Sequence, residues 1–336
     1  MSTTFTRKMP PLAVRCAMGV AMYGVFGPVI RGLDKIGWAP GVLAAVAARM
    51  RKKGAARNPL RAYTPTSHDV FVAAYVKSGT NWMMQIAHQL AFHGNAEYEH
   101  IHSVVAWPDV AVPGPFRHYA IPLEDPSVWM ASPEQKRVIK THFDWDVLPY
   151  SEKARYIIVI RDPKDVFVSS YFFFVKDGPL SVTRFSVETW LKVFFSQGFG
   201  PWSSWATNTA GYWAQRHRPN VLIVSFKSMK RDLHGTVRKV ADFMDVRVSD
   251  QVIERVCEKS SFDYMKRIDD KFRAWQIIPW GRAAAPMMRK GTEGGSLELL
   301  GPERQRLVDQ HFIAELDRLG SDFPYQEFCD VSMADC

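Results

Sequence analysis

Three short clusters in this 336-residue chain carry the residue types that grip a phosphorylated ligand. In Lys77-Ser78-Gly79-Thr80-Asn81-Trp82, a cation, two hydroxyls and a glycine stand together at what reads as a strand-to-helix turn. Backbone N–H groups at a helix start have no intrahelical partner, and the helix dipole adds positive potential, so such a turn favours an anion. It is not a Walker A loop, because the lysine precedes the glycine and the G-x-x-x-x-G-K-[ST] order is missing. In isolation, any glycine-bearing turn of this kind would read the same way. The second cluster, Arg161-Asp-Pro-Lys-Asp165 with Ser169, offers a guanidinium fork for a phosphate. Its plainer reading is an arginine paired with Asp162 and Asp165. The third, Arg289-Lys290-Gly291, joins two cations to a glycine whose backbone admits close approach; alone it would be a solvated charge pair. His142, in Lys140-Thr141-His142, is the candidate general base, although a histidine on a strand is more commonly structural. Glu97-Tyr-Glu-His100-Ile-His102 has metal-ligand residue types but reads more simply as a solvated loop, and no metal is expected.

These residues lie far apart in the chain, so a scaffold must bring them to one edge. Asp69–Val76, Arg137–His142, Arg155–Ile160 and Val221–Phe226 are short runs rich in Val and Ile. Nearly continuous apolar runs of this length suit parallel strands buried on both faces. Helical patterns follow the first and last of them, over Asn81–Phe92 and Leu233–Met244. Alternating strands and helices predict an open α/β sheet with ligands at the strand C-terminal ends. The expected division is an extension over residues 1–65 and one catalytic domain over 66–330, with no internal repeat.

Composition narrows the class further. With 47% hydrophobic, 13% aromatic and 23% charged residues the chain is an ordinary globular sequence. Cys16, Cys257, Cys329 and Cys336 show no framework spacing, which fits a reducing, cytoplasmic compartment. The net charge of +9 is uneven: residues 1–68 hold eleven Lys/Arg against the single acid Asp34, which leaves the remainder at −1. A basic extension without interleaved aromatics argues against a nucleic-acid partner. Cys16–Ile30 are fifteen uncharged residues, about 22 Å as a helix and short of the ~30 Å hydrocarbon core. Gly19, Gly24, Gly27 and Pro28 further weaken a straight span. Gly41–Lys53 places Val42, Leu43, Val46 and Met50 at helical spacing and ends in Arg49, Arg51, Lys52 and Lys53, a basic amphipathic pattern suited to an anionic membrane surface. Peripheral association through residues 1–60 is the expectation. The alternatives are an arm packed on the enzyme, a true span and a cleaved targeting segment.

Taken together, in order and spacing, these motifs resemble the cytosolic-type sulfotransferase family from about Tyr75 to Gly295. That family carries a phosphosulfate loop YPKSGTTW, here Tyr75-Val-Lys-Ser-Gly-Thr-Asn-Trp82, and a 3′-phosphate motif like Tyr156–Ser170. It also carries a K-T-H strand, matched by Lys140-Thr141-His142, and a late R-K-G, matched by Arg289-Lys290-Gly291. Its T-S-F adenine segment looks like Ser260-Ser261-Phe262, and its Y-G-S-W…W-W stretch like Trp202-Ser203-Ser204-Trp205 with Tyr212-Trp213. The resemblance implies a P-loop NTPase-like parallel sheet with helices on both faces. It implies in-line transfer of a sulfuryl group from 3′-phosphoadenosine 5′-phosphosulfate (PAPS) to a hydroxyl or amine, with PAP as product and no metal. By the same resemblance His142 is the base, and Lys77 and Lys140 neutralise charge developing on the transferred group. Ser78, Gly79, Thr80, Asn81, Trp82, Arg161, Ser169, Trp202, Ser260, Phe262, Arg289, Lys290 and Gly291 join Lys77 in binding the nucleotide, with Trp82 and Phe262 on either side of adenine.

The departures are specific. Val76 replaces a proline, Trp202 stands where a tyrosine hydroxyl is expected, the sequence after Gly291 lacks G-D-W, and no K-T-V-E-type dimer signature follows. Trp107, Phe116, Trp129, Phe143 and Phe173 fall where the family builds its acceptor pocket, so the expected acceptor is a small, apolar or lipid-like alcohol rather than a charged sugar. A P-loop-type nucleotide kinase would need a Walker A loop and a metal-holding acid. A nucleotide-binding, membrane-associated protein without transfer activity would have no use for His142 beside Lys77 and Lys140.

Overall fold

Four parallel strands, β1 (Asp69–Ala74), β2 (Arg137–Thr141), β3 (Arg155–Ile160) and β4 (Val221–Ser225), form a sheet in the order β2-β1-β3-β4. They belong to a computed structural model that describes residues 5–56, 60–110, 118–196, 202–274, 276–281, 285–291 and 294–331. The register pairs Ala73 with Thr141, Ala74 with Val159 and Ile160 with Ser225, so all four strands end at one edge. The residues immediately after them are the candidate chemical groups: Tyr75 to Gly79, His142, Arg161 and Phe226.

Side chains alternate along each strand, so the sheet feeds two cores. Val70, Val72, Ala74, Ile157 and Val159 pack beneath the helix Thr80–Ala91 and its neighbours Leu233–Phe243 and Asp250–Lys259. Phe71, Ala73, Ile139, Tyr156 and Ile158 join Phe167, Trp190, Trp205 and Phe312 on the opposite face. Both faces are covered, which is why the strands read as unbroken apolar runs. The helix after β3, Pro163–Ser170, starts with Asp162 accepting from the Lys164 N–H and with Pro163 in the first turn. That start fixes the exit of Arg161 and carries Ser169.

The extension departs from the expected short, broken helix. Leu12–Lys35 is one continuous helix of 24 residues, long and apolar enough by length and composition to cross a membrane. Proline is accommodated because Ala21–Phe26 forms a π segment, with the Gly27 N–H reaching back five residues to the Met22 carbonyl, and Pro28 follows at the start of the next α turn. Two of the glycines are contact points. A Cβ at Gly19 would lie 2.4 Å from Trp280, and one at Gly27 3.0 Å from the Val182 carbonyl. Inward-facing charges pin the helix down. Arg15 donates to the Gln276 and Ile277 carbonyls (3.0 and 2.9 Å), and Arg31 to Val182 O (3.3 Å). Asp34 accepts from Thr189 Oγ1 at 2.9 Å. The second helix, Ala39–Ala56, packs against Val187–Phe195, and its Arg51 donates to the Trp202 carbonyl (3.1 Å).

Candidate functional site

The turn after β1 is strained. Lys77 sits at φ +66° and Gly79 at φ +99°, both left-handed. Glycine is required at 79 because a Cβ there would lie 2.7 Å from the Phe226 ring. Lysine at 77 has no such freedom, and the conformation is held by Arg161 Nη1 donating to the Lys77 carbonyl at 3.2 Å. The Ser78 and Thr80 hydroxyls are buried with no protein partner, as are Ser260 Oγ and Arg161 Nε. Buried polar atoms are normally satisfied, so four such atoms gathered around one turn and its neighbours fit a polar ligand.

Beside this turn, at the end of β2, His142 is buried and its Nδ1 lies 2.7 Å from the Ala74 carbonyl. A carbonyl only accepts, so Nδ1 carries the proton. Burial, and then Lys140, lower the pKa of the ring well below the ordinary histidine value. The imidazole is therefore neutral, with its lone pair on Nε2. Lys140 lies with Nζ 3.5 Å from the Trp107 ring centroid, and Lys77 Nζ 3.7 Å from that of Phe173. Burial lowers both lysines to about 7; Arg161 adds to this for Lys77, while Asp109 opposes it for Lys140. Asp109 is itself raised to about 6 by burial and accepts the His142 N–H at 2.6 Å. The Trp202 ring meets the imidazole edge-on at 5.7 Å and 87°.

Three further cations, Arg161, Arg289 and Lys290, line the same cavity. Arg161 lies 4.2 Å from the Phe226 centroid and 3.4 Å from Asp165, and burial lowers its pKa. Arg289 and Lys290 both contact Glu298, at 2.7 and 3.1 Å. Gly291 has φ +62°, and a Cβ there would lie 2.3 Å from the Phe262 ring, so this backbone packs directly on one face of the phenyl group. Trp82 Nε1 donates to the Ser260 carbonyl at 2.7 Å, tying the turn to the segment that carries Phe262.

One cavity of about 520 Å³ is lined by Lys77, Gly79, Thr80, Asn81, Trp82, Lys140, His142, Arg161, Ser169, Trp202, Phe262, Arg289, Lys290 and Gly291. Ser78 and Ser260 lie just behind its wall, fully buried. Of the aromatic residues expected near the acceptor, Trp107 and Phe173 line the cavity. Trp129 does not: it stacks on His68 at 4.0 Å, at the opposite end of the sheet, where β1 begins. Phe143 turns away as well, and its carbonyl accepts from the Tyr212 hydroxyl at 2.7 Å. Phe116 lies outside the described residues. In the Glu97–His102 segment the two glutamates are exposed, as a solvated loop predicts, but His100 and His102 are buried. His100 Nε2 contacts Arg273 O at 2.9 Å, and His102 stacks on Trp107. Sequence reasoning missed Asp109 and Asp269. The Asp269 carboxylate accepts the Met287 and Met288 N–H groups (2.9 and 2.8 Å) and positions the strand of chain leading to Arg289. Neither acid carries a local signal, since each acts on a segment distant in sequence.

A family model described as "Sulfotransferase domain" matches residues 67–320. Sulfotransferase 2A1 of Macaca fascicularis is 27% identical over 77% of this chain and 88% of its own length. Sulfotransferase 1C2 of Rattus norvegicus is 27% identical over 67% of this chain and 75% of its own. Among solved structures, retinol dehydratase in complex with androsterone and inactive cofactor PAP superposes with TM-score 0.65 at 20% identity, over 83% of this chain and 88% of that one. A mouse sulfotransferase complexed with PAP gives TM-score 0.60 at 20% identity, over 85% and 96%.

Proposed function

The chain belongs to the sulfotransferase family, and on that footing we propose that residues 66–330 transfer the sulfuryl group of PAPS to a hydroxyl or amine of an apolar or amphiphilic acceptor. The observation that carries this reading is one cavity holding a neutral imidazole, its lone pair on Nε2, together with two desolvated lysines and the Lys77–Trp82 cradle. The donor supplies a sulfuryl group carried on a phosphate leaving group. His142 Nε2 takes the acceptor proton as the acceptor oxygen bonds to sulfur and the bond from sulfur to the phosphate oxygen breaks. Lys77 and Lys140 gain their protons and full charge against the anionic donor and offset the charge moving onto the leaving oxygen. The unpartnered Thr80 hydroxyl and Arg161 Nε, on residues that line the cavity, supply donors that fit a nucleotide with several phosphate oxygens, with the unpartnered Ser78 and Ser260 hydroxyls buried behind them. Arg161, Ser169, Arg289 and Lys290 are assigned to the 3′-phosphate, Trp82 and Phe262 to adenine, and Gly291 to close backbone packing behind that ring.

Trp107, Tyr119, Phe173 and Trp202 line the cavity around His142, which favours an apolar alcohol over a charged sugar. Residues 1–60 are assigned to peripheral association with the anionic cytoplasmic membrane surface, on the strength of their charge excess. Transfer of labelled sulfate from PAPS to pools of phenols, sterols and extracted lipids tests the reaction. His142→Ala is expected to lower transfer by about 10²–10⁴-fold while PAP binding stays within a few-fold. Activity within tenfold of the unmodified enzyme would remove His142 from the mechanism.

A further inference from the structure

The helix Leu12–Lys35 is amphipathic in the inverted sense. Three of its four charged side chains, Arg15, Arg31 and Asp34, turn toward the protein and bond there, and the fourth, Lys35, is exposed at its last residue. Every exposed position from Leu12 to Gly32 is uncharged, with Val20 at 63% and Val25 at 61% exposure near its centre. An ordinary surface helix shows the reverse arrangement. This outer face runs for about 30 Å and is bracketed by exposed cations, Lys8 before it and Lys35 after it. Trp38, 66% exposed, lies three residues beyond Lys35, after the exposed Ile36, an aromatic placed as at a headgroup boundary. Arg49, Lys52 and Arg61 add exposed charge on the same extension.

The helix borders the rim of the catalytic cavity through its inner side. Gly19 abuts Trp280, itself 53% exposed, and Arg15 holds the carbonyls of Gln276 and the cavity-lining Ile277. Arg7 donates to the carbonyl of Tyr119, another lining residue, at 2.8 Å and lies 4.6 Å from the centroid of its ring.

We infer that the outer face of Leu12–Lys35, with Trp38 and Trp280, lies in the plane of an anionic bilayer and presents the cavity rim to the lipid, so that the apolar acceptor is taken from the membrane rather than from water. The inference rests on the membrane-association reading above and adds the surface, its orientation and the route of the acceptor. Lipid is the occupant that matches both features of the face, an apolar strip for acyl chains and flanking cations for anionic headgroups. A spanning orientation would break the Arg15 and Arg31 bonds and strand two cations and Asp34 in hydrocarbon.

The test compares the full chain with Val20→Asp/Val25→Asp for sedimentation with phosphatidylcholine vesicles, with and without phosphatidylserine, at low and high salt. In parallel, transfer is measured to a soluble phenol and to a sterol dispersed in the vesicles. The full chain should partition onto the phosphatidylserine vesicles in a salt-sensitive way. The variant should lose at least about tenfold in partition and a similar factor on the dispersed sterol, with the soluble phenol unchanged. If the variant binds like the full chain, this face is not the docking surface although membrane association stands. If the full chain binds no vesicle, both fall. Binding that resists high salt and alkaline carbonate would mean a span. Self-association that the variant abolishes, with no vesicle binding, would mean a face between copies; either result overturns the proposal. Absence of transfer to every phenol, sterol and lipid offered would refute the enzymatic reading and leave the vesicle result to be judged separately.

Discussion

Binding of PAP should draw protons from solution, because Lys77 and Lys140 are both lowered to about 7 by burial in the free enzyme. An anion held against them restores the ordinary lysine value near 10.4. A lysine lowered in the free state and restored in the complex gains a proton on binding, so affinity is greatest below pH 7 and falls as the pH rises above it. At pH 8 each lysine is about one-tenth protonated when free, which gives an uptake of about 0.9 proton each and about 1.8 for the pair. Between pH 7 and pH 8 the affinity should weaken about fivefold per lysine and about 30-fold for both. The choice of pH 8 keeps Asp109, at about 6, ionised throughout and His142 neutral. Calorimetry in buffers of different ionisation enthalpy reads the proton count directly. Lys77→Met and Lys140→Met should each remove about half of it. An uptake below about 0.5 proton, or one that survives in the double variant, would refute the assignment of these two lysines to the anion.

Arg161→Ala should weaken PAP by about 1.5–3 kcal/mol, and Lys290→Ala, a half-exposed cation shared with Glu298, by about 1 kcal/mol or less. The analogue without the 3′-phosphate should lose clearly less, in the Arg161 variant only what freeing the Lys77 carbonyl costs; equal losses for both ligands in calorimetry would contradict the assignment. Gly79→Ala introduces a side chain at φ +99° and against Phe226, at a cost of about 1–3 kcal/mol. Thermal unfolding should show this as a lower midpoint, and an unchanged midpoint would mean the turn is softer than described. Asp109→Asn keeps an acceptor for the His142 N–H but removes the negative charge that holds the Lys140 pKa up. The alkaline limb of the kcat/KM profile, which reports the free enzyme, should shift to lower pH, and a superimposable profile would sever Asp109 from Lys140.

What could be read from the sequence follows from locality. β1 to β4 were each legible to within two residues because strands buried on both faces are unbroken apolar runs, and the Lys77–Trp82 turn is legible because its glycine and hydroxyls are contiguous. The rings under the lysines were not legible as such. Phe173 comes to Lys77 from the π segment Tyr171–Lys176, and Trp107 to Lys140 from a loop across β2. Trp129 misled for the same reason: sequence proximity to β2 does not say at which end of the sheet a residue lies. Gly19 and Gly27 look like helix breakers in sequence, and only the packed arrangement reveals them as the places where Trp280 and Val182 approach.

The proton on His142 is placed by the carbonyl of Ala74, the final residue of the neighbouring strand, whereas the histidine of a serine-protease triad is oriented by a carboxylate side chain. A main-chain oxygen is supplied by every amino acid, so no single base change in the codon for residue 74 deletes it. The Ala74 methyl points into the core beneath the helix Thr80–Ala91 and is open to exchange for other small groups without touching the imidazole. The imidazole proposed as the base is therefore oriented by a pairing register rather than by a residue type, and that arrangement is inherited for as long as β1 and β2 remain adjacent. Drift in the lineage can erode Lys77 or Arg161 one substitution at a time, but the tautomer of His142 is lost only when the sheet edge itself comes apart.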